Sequence, residues 1–474
     1  MALKPVIFVC ILGILGLFAL DWDRRLRTSK ALWIPVVWLL IIGSRPVGMW
    51  LSAFPPPLET SDRTLVEGSP IDRLVFTCLS AIGLLVLIVR GKKVLALLRA
   101  NGPIVLFFLY CAVSVVWSDF PEVAFRRWIK ALGDLVMVMV VLTDLDPAAA
   151  VKRLLARGAF VLLPLSVFLL KYYPNLARVY THWTFTPLYT GVTTNKNELG
   201  MICLIFGLGS VWRFLHSLGD REEPRRMGHL VAHAVLLSMT AWLFWTANSM
   251  TSLSCFLMGS GLMVLTRLRF LARKPALMHA LIVTLLSLPL FAVFFDSQGS
   301  LVGTLGRDPT ITGRSEIWAM VLHLSGNPFF GTGFDSFWLG ERLNRMWSAI
   351  WWHPNEAHNG YLELFLNLGW IGVGVFAVVL VKGYRNVVQA FGRDPHSGRL
   401  RMALLAATVA YNLTESAFKQ TSPLWLIFLL AIMVVPTAPV QEDSPLALDQ
   451  PSSFPEGEPE EDRLLPVGLH RGIH

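Results

Sequence analysis

Long apolar runs, few charges and an alternating set of basic loops predict an all-α polytopic membrane protein with about 12–13 transmembrane helices. Hydrophobic residues make up 54% of the chain and charged residues 15%, where a soluble domain carries about 25% charged residues. The mean hydropathy is +0.55. Each run is continuously apolar over roughly 15–20 residues, the length of a helical span. None shows the two-residue alternation of a β-barrel strand.

The runs fall at 5–20, 31–50, 71–89, 103–117, 131–143, 156–170, 198–212, 229–247, 250–266, 277–295, 360–381, 400–413 and 421–436. The first is followed by Asp21-Trp22-Asp23-Arg24-Arg25 with no small-residue cleavage site, and reads as an anchor helix. Basic clusters occupy every second loop: Arg24 to Lys30, Arg90 to Arg99, Lys152 to Arg157, Arg213 to Arg226, Arg267 to Lys274 and Lys382 to Arg401. That spacing places those loops in the cytoplasm and absorbs the net charge of +9, so nucleic acid is not implied. The intervening loops face outward. The chain divides into helices over 1–296, a large outer loop over 297–359, C-terminal helices over 360–436 and a Pro- and Glu-rich disordered cytoplasmic tail over 437–474. The five cysteines lie in or at the ends of apolar runs without CxxC spacing and read as small hydrophobes.

The stretch 310–368 is the longest interval without a lipid-compatible run, and chemistry is expected there. Arg314 opens an expected amphipathic helix ended by Gly326-Asn327-Pro328. A cation at a helix N-terminus opposes the macrodipole unless an anion is shared there. His358 stands before a membrane helix, with Glu363 and Asn367 stacked one turn apart on it. Glu363 lies inside an apolar run, where an ionisable group costs about 2.5–3.5 kcal/mol on insertion scales and marks function. Glu415 is a second such group, with Lys419 as its expected i,i+4 partner. Lys196, flanked by Asn195 and Asn197, begins another span; it reads either as an anion-binding cation or as a snorkelling residue behind an Asn195 cap. Arg126, Arg127 and Lys130 share a helix face that suits either an interfacial helix or a cationic wall. Trp338, Trp347, Trp351 and Trp352 suit an interfacial seat or stacking on sugar rings. HExxH, GxxxxGK[ST], GxSxG and Cys/His metal spacings are missing from the sequence, and no metal or cofactor is expected.

GRSEIW at 313–318, NPFFGTGF at 327–334 and HNGYLELFLNLGWIGV at 358–373 resemble the signature of O-antigen ligase-like membrane proteins, a family that includes O-antigen ligases and exopolysaccharide polymerases. VTTNKNELG at 192–200 and WSDFPEVAFRRWIKALGD at 117–134 resemble its exopolysaccharide branch. The resemblance implies a metal-independent, inverting glycosyltransferase of the bacterial inner membrane. Its large loop would lie in the periplasm, and its donor would be an undecaprenyl-pyrophosphate-linked oligosaccharide. Arg314 matches the family's arginine after glycine, and His358 its histidine before asparagine. Lys196 stands where many members carry a basic residue, often Arg; lysine would supply a point charge there and not a fork. On this reading His358 activates the acceptor hydroxyl, Arg314, Lys196, Arg126 and Arg127 hold the pyrophosphate, and Asn359, Glu363 and Asn197 support them. The acceptor is a second lipid-linked glycan in a polymerase, toward which the outer cations point, or a lipid A core or other acceptor in a ligase. A polysaccharide transporter or flippase, with Glu363 and Glu415 as coupling-ion sites, is the alternative from another class.

Overall fold

Prolines and polar caps set where the apolar runs become helices, because proline suits the first turn and Ser, Asp and Asn satisfy its free N–H groups. The computed structural model describes residues 3–23, 27–51, 69–180, 185–222, 225–268, 310–350 and 353–436, with isolated helical residues between 277 and 287. The expected span at 277–295 and tail at 437–474 lie largely or wholly outside the described residues. The helices are α1 (Leu3–Leu20), α2 (Trp33–Ile42), α3 (Val47–Leu51), α4 (Pro70–Val89), α5 (Gly91–Ala100), α6 (Gly102–Ser114), α7 (Pro121–Leu142) and α8 (Pro147–Tyr172). A short α9 (Pro174–Ala177) and an antiparallel hairpin of β1 (Arg178–Tyr180) with β2 (Pro187–Tyr189) follow. Then come α10 (Lys196–Gly219), α11 (Arg226–Ala247) and α12 (Met250–Leu265). The chain continues with α13 (Thr310–His323), α14 (Gly340–Ala349), α15 (Gly360–Arg393), α16 (Pro395–Tyr411) and α17 (Pro423–Ile432).

The protein is an all-α, polytopic membrane protein. Among the described residues, α4, α8, α10, α11 and α15 are each long and apolar enough to span a membrane, and α5 with α6 forms a sixth candidate bent by 89°. Shorter apolar helices, among them α2, α12 and α17, fill in around them. The buried core runs through α10, which packs on α8, α11, α12 and α16.

Three elements differ from the sequence expectation. The run at 31–50 breaks between α2 and α3, where Arg45 donates its backbone N–H to Val192 O (2.9 Å) and Nε to Thr193 O (3.1 Å). The break spends a guanidinium on carbonyls of the loop that leads to Lys196. The basic segment from Pro121 and the run at 131–143 form the single helix α7. Finally, α13 begins at Thr310, so Arg314 lies in its second turn and not at a helix N-terminus. The macrodipole argument for a shared anion therefore does not apply to it.

Inside α15 the backbone breaks at Gly369 (φ 63°, ψ −171°). The turn Asn327–Thr332 fills the break: Trp370 N–H donates to Pro328 O (2.9 Å), Ile371 N–H to Phe329 O (3.2 Å) and Thr332 N–H to Leu366 O (3.0 Å). That turn thus satisfies donors and acceptors that the interrupted helix leaves open. Both partners must be glycine. A Cβ on Gly369 would lie 2.3 Å from the Phe329 carbonyl carbon, and one on Gly331 (φ 69°) 2.5 Å from that of Asn367. Gly331→Ala or Gly369→Ala is expected to cost at least about 1–3 kcal/mol from backbone strain alone. The measurement is thermal unfolding of the purified membrane protein, with Gly374→Ala, which meets nothing within 4 Å, as control.

The segment 310–350 carries its own small core: Ile317 and Val321 of α13, Phe337 and Trp338, and Leu343 and Met346 of α14 pack on Leu366 of α15. Trp338 is 8% exposed and lies inside this core, not at an interface or against solvent. Trp351 and Trp352 lie outside the described residues.

Candidate active site

The HNG tripeptide at 358–360 performs three separate tasks. His358 has a left-handed backbone (φ 50°), an unfavourable conformation for a non-glycine residue that the neighbouring contacts impose. Asn359 caps α15, its Oδ1 accepting the N–H groups of Tyr361 and Leu362 (3.0 Å each), while its Nδ2 donates to Leu413 O (3.2 Å). Gly360 N–H donates to the carbonyls of Asn412 and Glu415 (2.9 and 3.1 Å). The helix starts at Gly360, so His358 precedes it and shares no helical face with Tyr361.

Behind this turn, Glu363 accepts the Ala357 N–H (2.5 Å) and the Trp338 indole N–H (2.9 Å). One turn on, Asn367 Oδ1 accepts from the backbone of Ser336 and Phe337 (2.8 and 3.0 Å). The stacked pair read from the sequence is a latch holding residues 336–338 and the His358 turn to α15.

Glu415 brings the site together. Its Oε1 accepts from Asn197 Nδ2 (3.0 Å) and from an Arg314 guanidinium nitrogen (3.2 Å), and its Oε2 lies 3.3 Å from His358 Nδ1. The two ends of the 310–368 stretch therefore meet through one carboxylate, on a loop that neither end contains. Glu356 lies 3.3 Å from the same His358 Nδ1 and accepts from Lys419 Nζ (2.7 Å). Lys419 pairs with Glu356 and not with Glu415, because residues 412–422 form a loop in which i,i+4 spacing has no meaning.

That loop is held at both ends. Asn412 Oδ1 accepts from Ala417 and Phe418 N–H (2.8 and 3.0 Å). At the other end Asp134 of α7, fully buried, accepts from Thr421 N–H and Trp38 Nε1 (2.8 Å each), and Thr421 adopts φ 55°.

These groups border a cavity of about 730 Å³ whose wall includes Lys196, Asn197, Glu356, His358, Glu415 and Lys419. Lys196 stands in the first turn of α10 behind the Asn195 cap, whose Oδ1 accepts Glu198 N–H (2.9 Å). Glu198 turns back to Thr194, accepting its N–H at 3.1 Å and its hydroxyl at 2.6 Å. Arg314 reaches the cavity wall through Glu415. Arg126 pairs with Glu122 (3.1 Å) and Arg127 with Asp335 (3.4 Å), and neither lines the cavity. A second cavity of about 90 Å³, lined by Asp335, Trp338 and Glu363, shares Glu356 and Lys419 with the first.

The electrostatics follow from this packing. Burial alone would lower the His358 pKa, but the Glu415 hydrogen bond and the charges of Glu356 and Glu415 outweigh it and raise it above its ordinary value. Burial would raise the Glu356 carboxyl, yet Lys419, His358 and Arg314 hold it below its ordinary value.

Residues 226–377 match the O-antigen ligase family model. Over that stretch the chain is similar to O-antigen ligases. A Rickettsia prowazekii (strain Madrid E) protein named "Putative polysaccharide ligase" is similar at 23% identity over 226 residues, covering 44% of this chain and 54% of its own length. The chain thus spans about half the length of the curated relative it matches. The matched stretch contains Arg314, Glu356, His358, Asn359 and Glu363; Lys196, Asn197, Glu415 and Lys419 come to the same place from outside it.

Glu356, His358 and Glu415 also present ligand atoms within 4.8 Å of one another, a spacing three metal ligands can have. Both carboxylates already accept from cations, Lys419 and Arg314, which a dication would have to displace. Glu356 and Lys419 carry no sequence motif. Glu415 and its neighbour Asn197 gave one signal each: an acid at the end of an apolar run and an amide at a helix start.

Proposed function

We propose that this membrane protein transfers a glycan from a polyprenyl-pyrophosphate carrier to an acceptor hydroxyl at the periplasmic face of the bacterial inner membrane. The observation that carries this reading is the convergence of His358, Arg314 and Asn197 on Glu415. A ring whose Nδ1 hydrogen faces carboxylates keeps the lone pair of its neutral form on Nε2, the arrangement of an oriented general base. The acceptor hydroxyl attacks the anomeric carbon and passes its proton to His358. The bond from that carbon to the pyrophosphate oxygen breaks on the opposite face, with inversion. Lys196, the N–H groups at the start of α10 and Arg314 supply positive potential for the departing anion. The carboxylates of Glu415 and Glu356 then stabilise the imidazolium.

The deciding experiment is transfer from a purified lipid-linked donor by the reconstituted protein with no ion gradient. Product formation is expected; export without new glycosidic bonds would favour a transporter and overturn the proposal. Glycan analysis of a deletion strain separates the two acceptors. Unpolymerised repeats indicate a polymerase, and long lipid-linked chains that reach no acceptor indicate a ligase. The outer cations Arg126 and Arg127 are engaged by Glu122 and Asp335, so they no longer argue for one over the other.

Arg314→Ala is expected to weaken donor binding about tenfold or more, since a hydrogen bond to a charged group contributes roughly 1.5–3 kcal/mol. Unchanged affinity for the lipid pyrophosphate would remove Arg314 from the donor site. Because His358 must be neutral to accept a proton and its pKa is raised, transfer should decline as pH falls, along a limb centred above 6.5. A pH–rate profile flat between 6 and 8 would contradict the base role.

A further inference from the structure

A groove of about 480 Å³ opens beside the outer segment, between the loop before α7 and the helices α13 and α14. Its wall includes Asp119, Phe120, His323, Glu341, Arg342 and Arg345. The single segment Phe337–Leu339 separates it from the catalytic region: Trp338 lines the small cavity that shares Glu356 and Lys419 with the main one, and Leu339 lines the groove. The partition is rigid. Trp338 is held by Glu363, Phe337 N–H by Asn367, and Phe337 O accepts from Arg342 Nε (3.3 Å).

We infer that this groove is a saccharide subsite, gripping sugars of a substrate glycan that are remote from the reacting bond. The volume lies within the roughly 300–1,000 Å³ of small-ligand sites. Arg342 is aligned by Asp119 (2.5 Å) and Arg345 by Glu341 (3.3 Å), so two guanidiniums face two carboxylates. Charges so balanced give little net field for a phosphate. They do offer planar donors and acceptors at fixed angles, which suit the vicinal hydroxyls of neutral sugars. Phe120, Leu324 and Leu339 supply apolar surface for the C–H faces of the rings. Arg345 and Glu341 are 66% and 86% exposed and hold no other element among the described residues, leaving them available to a ligand at little risk to the fold.

The subsite rests on the glycan-transfer function proposed above, and its test is separable from it. The probes are oligosaccharides of one repeat and of several repeats, released by mild acid from the host's own surface polysaccharide. Binding to the full chain in lipid nanodiscs is measured. The longer probe is expected to bind at least tenfold more tightly. Arg345→Ala and Glu341→Ala should bring that ratio toward one, and Arg342→Lys, which keeps the charge without the fork, should lower it. Equal affinity of both probes for the wild type, or a ratio unchanged in all three variants, would overturn the subsite. So would Arg345→Ala weakening flotation with phosphatidylglycerol vesicles while leaving the ratio intact, which would make the groove a headgroup site. Transfer assays with the donor lengthened at fixed acceptor, then the converse, show whose glycan occupies it; a length effect in either arm supports the subsite. Failure of the wild type to transfer any glycan would overturn the function alone, since the binding ratio is read without turnover.

Discussion

His358→Ala is expected to lower glycan transfer by roughly 10²–10⁴-fold, the contribution of a positioned general base. The variant should still be recovered from the membrane. The backbone around His358 is fixed by Asn359, Gly360 and Glu363, and none of those contacts uses the imidazole. Loss of surface glycan with unchanged protein abundance is the result to look for. Normal glycan amount and length would remove His358 from the chemistry.

Glu415→Gln should cost nearly as much by another route. The amide retains an oxygen for Arg314 or Asn197 but removes the charge that aligns the imidazole and supports its protonated form. A fall of roughly 10²-fold or more in kcat is expected. The acid limb of the pH profile should also move down, because the Glu415 hydrogen bond is a principal cause of the raised His358 pKa. That second readout separates an electrostatic role from loss of packing. A lower rate with an unmoved limb would make Glu415 a structural residue only. Glu415→Ala is the harsher test, as it leaves Arg314 facing a site with one carboxylate fewer.

The helical membrane architecture was legible because hydropathy and loop charge report the lipid environment directly, residue by residue. His358 and Arg314 could be singled out because each sits in a polar stretch between apolar runs and matches a motif. Glu415 could not be given its place. Its partners lie 57, 101 and 218 residues away, and no local period encodes such a meeting. Helix spacing pointed Glu415 at Lys419, which is the wrong partner in a loop. Asp134 was equally silent, since an acid in an apolar helix shows its purpose only when Thr421 and Trp38 are found against it. The break at Gly369 was hidden for a related reason. NPFFGTGF reads as a turn in isolation, and only the three-dimensional structure shows it completing another element's hydrogen bonds.

The loop at 412–422 has a consequence for the making of the protein. Chains emerge from the ribosome N-terminus first, so Arg314 and His358 are in place before Glu415 and Lys419 have been synthesised. Asp134, made far earlier, waits in α7 for the Thr421 N–H that arrives near the end of the helical region. On the proposed mechanism, a chain translated only through α15 holds the base without its aligning acid. The proposed site is complete only once the loop between α16 and α17 is in place. On the proposed function, that order keeps a half-built molecule from discharging lipid-linked sugars.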